Sequence, residues 1–215
     1  MLDPYLLPGT TVLRNRFNIA SQSDLDDAEG DFAALRLREL AENPLPGDYG
    51  VRHYLYFHRY IFQDLYDWAG EPRQMNIMKE EPALGGLSVE YTDYHSIRTE
   101  LSRVLGAMRR RPWTRYDVEK QAKWFSHDMA ALWKIHAFRE GNTRTTIHFC
   151  CQFSDDHGFS IDRRLFEDNS HYARTALVAY NAVFPDVGDK SQKRYLEAFV
   201  RDGIIRGTEM NTPRH

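Results

Sequence analysis

His136-Ala137-Phe138-Arg139-Glu140-Gly141-Asn142-Thr143-Arg144 decides how the chain is read. It follows Met129, Leu132, Trp133 and Ile135, which close one helical pattern, and it opens another at about residue 143. A loop entering a helix presents backbone N–H groups with no intrahelical partner, at the positive end of the helix dipole. Such a mouth binds phosphate. Gly141 permits the tight backbone that a phosphate nest needs. Asn142 can hydrogen-bond a phosphate oxygen, and Arg144 can grip phosphate oxygens through two N–H groups. Glu140 is the carboxylate available to Mg²⁺, which usually sits on one or two carboxylates plus substrate phosphates. His136 can act as a general base near neutral pH, and Phe138 turns inward as an anchor. Each residue alone has an ordinary structural explanation: a lone histidine is more often a hydrogen-bonder, Glu140 a surface acid and Arg144 a solvated helix residue. Only their combination at a helix entrance points to nucleotidyl transfer.

Outward from that loop the chain is mainly α. Ser23 can cap a helix from about Asp24 to Ala41. Tyr54, Phe57, Ile61, Leu65 and Trp68 step by three and four, which is one buried face of a helix over 49–68, and Gly70 stops it. Residues 74–78 and 87–91 read as two extended runs around Pro82 and Gly85-Gly86, a small β-hairpin. Helical patterns return at about 94–109, 115–134, 143–156, 163–183 and 189–203. One domain is expected over 1–206, with an N-terminal extension of about 1–47 and a core of about 48–206. A polar tail, 207–215, should fray.

The 215 residues carry a net charge of −3, which gives no electrostatic reason to expect nucleic acid as a direct partner. Arg109-Arg110-Arg111 reads as a solvated helix end. The two cysteines, Cys150 and Cys151, are adjacent, so no disulfide framework is expected. No run approaches the ~18 apolar residues of a membrane span, and the first residues lack a secretory pattern. A cytoplasmic protein is expected.

The string at 136–144 resembles the motif of the Fic family, H-x-F-x-[DE]-G-N-G-R-x-x-R, at His136, Phe138, Glu140, Gly141, Asn142 and Arg144. The stretch from His58 to Arg73, with Trp68-Ala69-Gly70, is similar to the family helix that precedes its flap. Pro8-Gly9-Thr10-Thr11-Val12-Leu13-Arg14-Asn15 resembles the N-terminus of bacterial Fic toxins paired with a separate small antitoxin. The resemblance implies a helical bundle with a β-hairpin flap at about 75–90, whose Met75, Asn76, Ile77, Met78 and Lys79 would dock an extended target segment by strand addition. It implies a protein adenylyltransferase that moves AMP from ATP to a target's Ser, Thr or Tyr hydroxyl. His136 would take the hydroxyl proton. Glu140 would hold Mg²⁺. Arg139, Gly141, Asn142, Thr143 and Arg144 would bind the nucleotide. By analogy with relatives, a DNA topoisomerase is an expected target and a small antitoxin an expected partner; self-association stays open.

Two positions depart from the motif. Thr143 replaces the second glycine, and its β-branch disfavours positive φ, although its hydroxyl could donate to a phosphate. Ile147 replaces the final arginine, which the resemblance implies would help hold the outer phosphate and pair with the inhibitory glutamate; losing one charged contact costs about 1.5–3 kcal/mol of phosphate binding. Arg139, His148 or another basic group could compensate. The family's inhibitory motif, [ST]-x-x-x-E-[GN], is not met: Leu25 stands four before Glu29-Gly30, and Arg38 four before Glu42-Asn43. No built-in inhibitor is therefore expected. Alternatives are transfer of another nucleotide, phosphate or phosphocholine, and a degenerate protein that binds nucleotide or a partner without turnover. A metal hydrolase using His136, His148, Cys150 and His157 has no tight zinc spacing to support it.

Overall fold

A computed structural model describes residues 3–211. Its helices are α1 (Gln22–Glu42), α2 (Val51–Phe62), α3 (Ile97–Arg110), α4 (Val118–Ile135), α5 (Asn142–Asp156), α6 (Arg163–Asp168), α7 (Ser170–Tyr180) and α8 (Lys193–Asn211). A two-stranded antiparallel ladder, β1 (Val183–Phe184) and β2 (Gly188–Asp189), joins α7 to α8. The chain is mainly α, as the apolar periodicity indicates.

α4 is the central element and packs against α3, α5, α7 and α8. Asp117 caps it by accepting the Lys120 N–H at 2.8 Å, and Phe125, Met129, Leu132, Trp133 and Ile135 are buried along it. Each such side chain contributes about 1.5–3 kcal/mol through burial. α5 lies alongside with Phe149, Cys150, Cys151 and Phe153 fully enclosed. Both thiols are free, and burial pushes the Cys151 pKa up to about 12 and that of Cys150 well above the usual thiol range.

Several expected elements differ. The helix expected over 49–68 is shorter, because Tyr49 takes a positive φ of 54° and the chain turns after Phe62. Leu65, Tyr66 and Trp68 reach the core from those turns. The helix expected over 163–183 is broken at Asn169, whose φ is −122° and whose Nδ2 donates to the Leu165 carbonyl at 2.9 Å. Residues 207–211 do not fray but complete α8. A Cβ on Gly207 would lie 2.4 Å from the Ser160 carbonyl oxygen, so that glycine lets the helix lie directly on the backbone at 160–161. Residues 212–215 of the expected tail lie outside the described residues.

The largest correction concerns the hairpin. Residues 74–91 form no β-ladder; the ladder lies at 183–189 instead. The segment folds back through a short 3₁₀ turn at Pro82–Leu84, with Gly85 and Gly86 at positive φ. The Glu81 N–H donates to the Leu87 carbonyl, but the Lys79 N–H goes to the Ser88 hydroxyl rather than to a backbone carbonyl. Burial still alternates along 75–80, as in a half-buried strand.

Candidate active site

His136 ends α4 in the left-handed region, φ 48° and ψ 56°. That conformation costs a non-glycine residue about 1–3 kcal/mol and persists only where the surroundings impose it. Here the His136 N–H bonds the Trp133 carbonyl at 3.0 Å, and the buried Arg73 guanidinium takes the His136 carbonyl at 2.8 Å. The ring is buried and stacked on Tyr91, with centroids 3.9 Å apart. Neither ring nitrogen has a hydrogen-bond partner among the described residues. Leaving buried polar atoms unpaired costs about 1–3 kcal/mol each, so the ring is placed for a partner from outside the chain. Burial first, and the Lys79 charge second, push the His136 pKa well below the usual histidine range.

The loop that follows is closed by its own atoms. Asn142 Oδ1 accepts the Phe138 N–H at 2.9 Å, and its Nδ2 donates to the Phe138 carbonyl at 2.8 Å. The Asn142 side chain, expected on a phosphate, therefore braces the turn. His58 supports the same turn from α2. Its Nδ1 accepts the Gly70 N–H at 2.9 Å, so Nε2 carries the proton and donates to the Glu140 carbonyl at 3.0 Å. Burial takes the His58 pKa down to about 3, which keeps that tautomer neutral. Gly141 has φ 79°, and a Cβ there would lie 2.4 Å from the Phe62 ring, so backbone and packing both exclude a side chain.

α5 begins at once. The N–H groups of Asn142, Thr143 and Arg144 make no hydrogen bond among the described residues; the first intrahelical donor is Thr145, to Gly141. The helix mouth is thus prepared for an anion. Thr143 needs no positive φ, because that conformation falls on Gly141 and Thr143 is already helical. Its Oγ1 accepts the Trp133 indole N–H at 2.9 Å and an Arg174 N–H at 3.4 Å, and neither bond uses the hydroxyl's own proton.

Glu140 Oε2 meets the Lys79 ammonium at 2.9 Å, and Oε1 accepts the Gly141 N–H at 3.0 Å. Burial opposes the carboxylate's charge. Lys79 and the Gly141 N–H outweigh it and hold the pKa at about 2. The other two basic residues of the loop are turned elsewhere. Arg139 pairs with Asp3 at 2.8 Å, and Arg144 with Glu29 of α1. Glu29, which the inhibitory motif does not select, is nevertheless the acid that holds Arg144. Ile147 is buried among apolar residues. No helix of the described residues is long and apolar enough to cross a membrane.

Residues 48–154 match the profile of the Fic/DOC family. A probable protein adenylyltransferase of Sinorhizobium fredii is 35% identical over 171 residues, 77% of this chain and 82% of that protein. The chain belongs to the Fic/DOC family. The protein adenylyltransferase VbhT of Bartonella schoenbuchensis is 31% identical over 160 residues, 74% of this chain but 32% of that longer protein. Among solved structures, the BepC protein of Bartonella tribocorum with bound AMPPNP has the same fold, with a TM-score of 0.75 at 18% identity over 93% of this chain and 95% of that one.

In this Fic protein the structure brings His136, Glu140, Gly141, Thr143 and Lys79 to one helix mouth, and draws Arg139 and Arg144 off to the N-terminal extension. Lys79, expected to dock a target, faces the motif and pairs with Glu140. Met78, in the same segment, is open to solvent, at 86% exposure. Sequence reasoning missed Arg73, Tyr91 and Arg174. Arg73 is 2% exposed and donates to the carbonyls of Met75, Thr92, Ile135 and His136, tying both ends of the flap to the end of α4. The one available signal was its place at the end of the Trp-Ala-Gly stretch. Arg174 lies on α7, far from the motif in sequence, and no local pattern marks it.

Proposed function

We propose that this protein is an adenylyltransferase that moves AMP from ATP to a hydroxyl side chain of a target protein. One observation carries this reading: the unpartnered His136 imidazole lies at a helix mouth with open N–H groups and an ionised Glu140. In this reading His136 accepts the proton of the target's Ser, Thr or Tyr hydroxyl. The oxygen attacks the α-phosphorus in line, its bond to the pyrophosphate oxygen breaks, and pyrophosphate leaves. The α5 N–H groups and the Thr143 hydroxyl stabilise the phosphates. Gly141 and Asn142 hold the loop in shape, with Arg139 and Arg144 at its rim.

Glu140 is the residue suited to Mg²⁺. It is ionised, and a cation, the Lys79 ammonium, already lies on it. No cluster of three or more His, Cys, Asp or Glu that could hold a metal occurs among the described residues, so phosphate oxygens would complete the shell. Magnesium bound there would supply charge neutralisation for the outer phosphates. The flap residues Met75, Asn76, Ile77 and Met78 have the alternation of a strand without a paired neighbour, which suits strand addition by a target. A cytoplasmic setting and a small antitoxin partner belong to the same reading.

The test is transfer of label from α-labelled and γ-labelled ATP in lysate, with wild type and His136→Ala. Incorporation of the α-label alone, lost in His136→Ala, is expected. Incorporation of the γ-label alone, or equal labelling by both proteins, would overturn the reading.

A further inference from the structure

The final arginine of the motif is replaced by Ile147, which is 5% exposed in the apolar core and donates nothing. The basic groups of the motif and the first turns of α5 do not make up for it. Arg139 is engaged by Asp3, and His148 is neutral, with burial taking its pKa down to about 4. Arg144 is engaged by Glu29. From a different helix, Arg174 reaches the same mouth. One of its terminal nitrogens is 3.4 Å from Thr143 Oγ1, in the first turn of α5, and the other is 2.7 Å from Glu81 Oε1 on the flap. Its charge is felt at the His136 ring. The side chain is one-third exposed, whereas Glu81 is buried. A guanidinium at a helix N-terminus beside open N–H groups is a phosphate-binding combination.

We propose that Arg174 supplies from α7 the guanidinium contact to the outer phosphates of the nucleotide that Ile147 cannot supply from α5, and that Glu81 holds it in place until those phosphates arrive. This inference rests on the AMP-transfer reading above. It also gives Thr143 a role, since a glycine there would offer Arg174 no hydroxyl.

Calorimetry of ATP and AMP binding, with magnesium present, tests it on the full chain. Arg174→Ala should weaken ATP binding about tenfold to a hundredfold and leave AMP binding within about twofold of wild type. Arg174→Gln, closer in size and still able to donate, should show the same split, and serves if the alanine variant fails to fold. Glu81→Gln should leave ATP binding equal or tighter, because it releases Arg174. If Arg174 only latches the flap, Arg174→Ala and Glu81→Gln will weaken ATP binding alike, and the proposal fails. Unchanged ATP affinity in both Arg174 variants also overturns it, while leaving AMP transfer intact. A wild-type protein that binds no ATP overturns both readings together.

Discussion

At the scale of single residues the site is governed by which charges lie near the His136 ring. The imidazolium form is opposed first by burial and then by Lys79, whereas Glu140 favours it. Lys79 thus favours the neutral, proton-accepting form of His136. Replacing Lys79 with Met removes the opposing charge and leaves Glu140 uncompensated. Both changes favour protonation, so the His136 pKa must rise. Titration of the ring by NMR should show the higher midpoint, and the acid limb of the transfer rate should move to higher pH with it. A midpoint that stays or falls would show that Lys79 does not act on the ring. The same substitution should loosen the flap, since it breaks a contact between residues 79 and 140.

At the scale of elements, the junction of α4 and α5 is held by parts that cannot be exchanged. Gly141→Ala puts a methyl group into the Phe62 ring at a positive φ, and should cost about 2–4 kcal/mol in urea unfolding. The flap is anchored at both ends by Arg73. Arg73→Met leaves the carbonyls of Met75, Thr92, Ile135 and His136 without that donor, and should cost about 3 kcal/mol. Limited proteolysis should then cut first within 74–91; an unchanged pattern would mean that the flap is held by other contacts. Helices were legible in the sequence because apolar residues at steps of three and four mark a face wherever they occur. The flap was misread because Pro82, Gly85 and Gly86 signal a reversal equally well with or without a ladder. The side chains of Arg73, Lys79 and Glu81 bind partners outside the segment, at His136, Glu140 and Arg174, and the Lys79 N–H goes to a hydroxyl rather than to a ladder carbonyl.

At the scale of the molecule, α2 and the turns after it support the loop after His136 through His58. That histidine is fully buried and neutral, with its pKa at about 3 in the folded state against about 6.5 when unfolded. The unfolded chain therefore binds the extra proton first. Stability from this group is fully present above about pH 6.5 and is lost as pH falls toward 3. A wild-type melting temperature that declines steadily across that window, and a flatter decline in His58→Gln measured from its own neutral value, are expected. Equal slopes for the two proteins would remove His58 as a source of acid lability. The N-terminal extension reaches the same loop through Asp3 on Arg139 and Glu29 on Arg144, and it reaches the flap through the Tyr5 hydroxyl, which accepts the Gln74 N–H.

By itself the sequence determined what is local: the helical character, the helix mouth after His136, the need for glycine at 141 and the family. Those follow from backbone conformation and from residues within a few positions of one another. Only the tertiary structure decided where the charges of the site go. Arg139 meets Asp3 across 136 positions, Arg144 meets Glu29 across 115, and Arg174 meets Glu81 across 93. Ion pairs leave no periodic trace in a sequence, because packing of distant elements, not chain proximity, brings the two charges together.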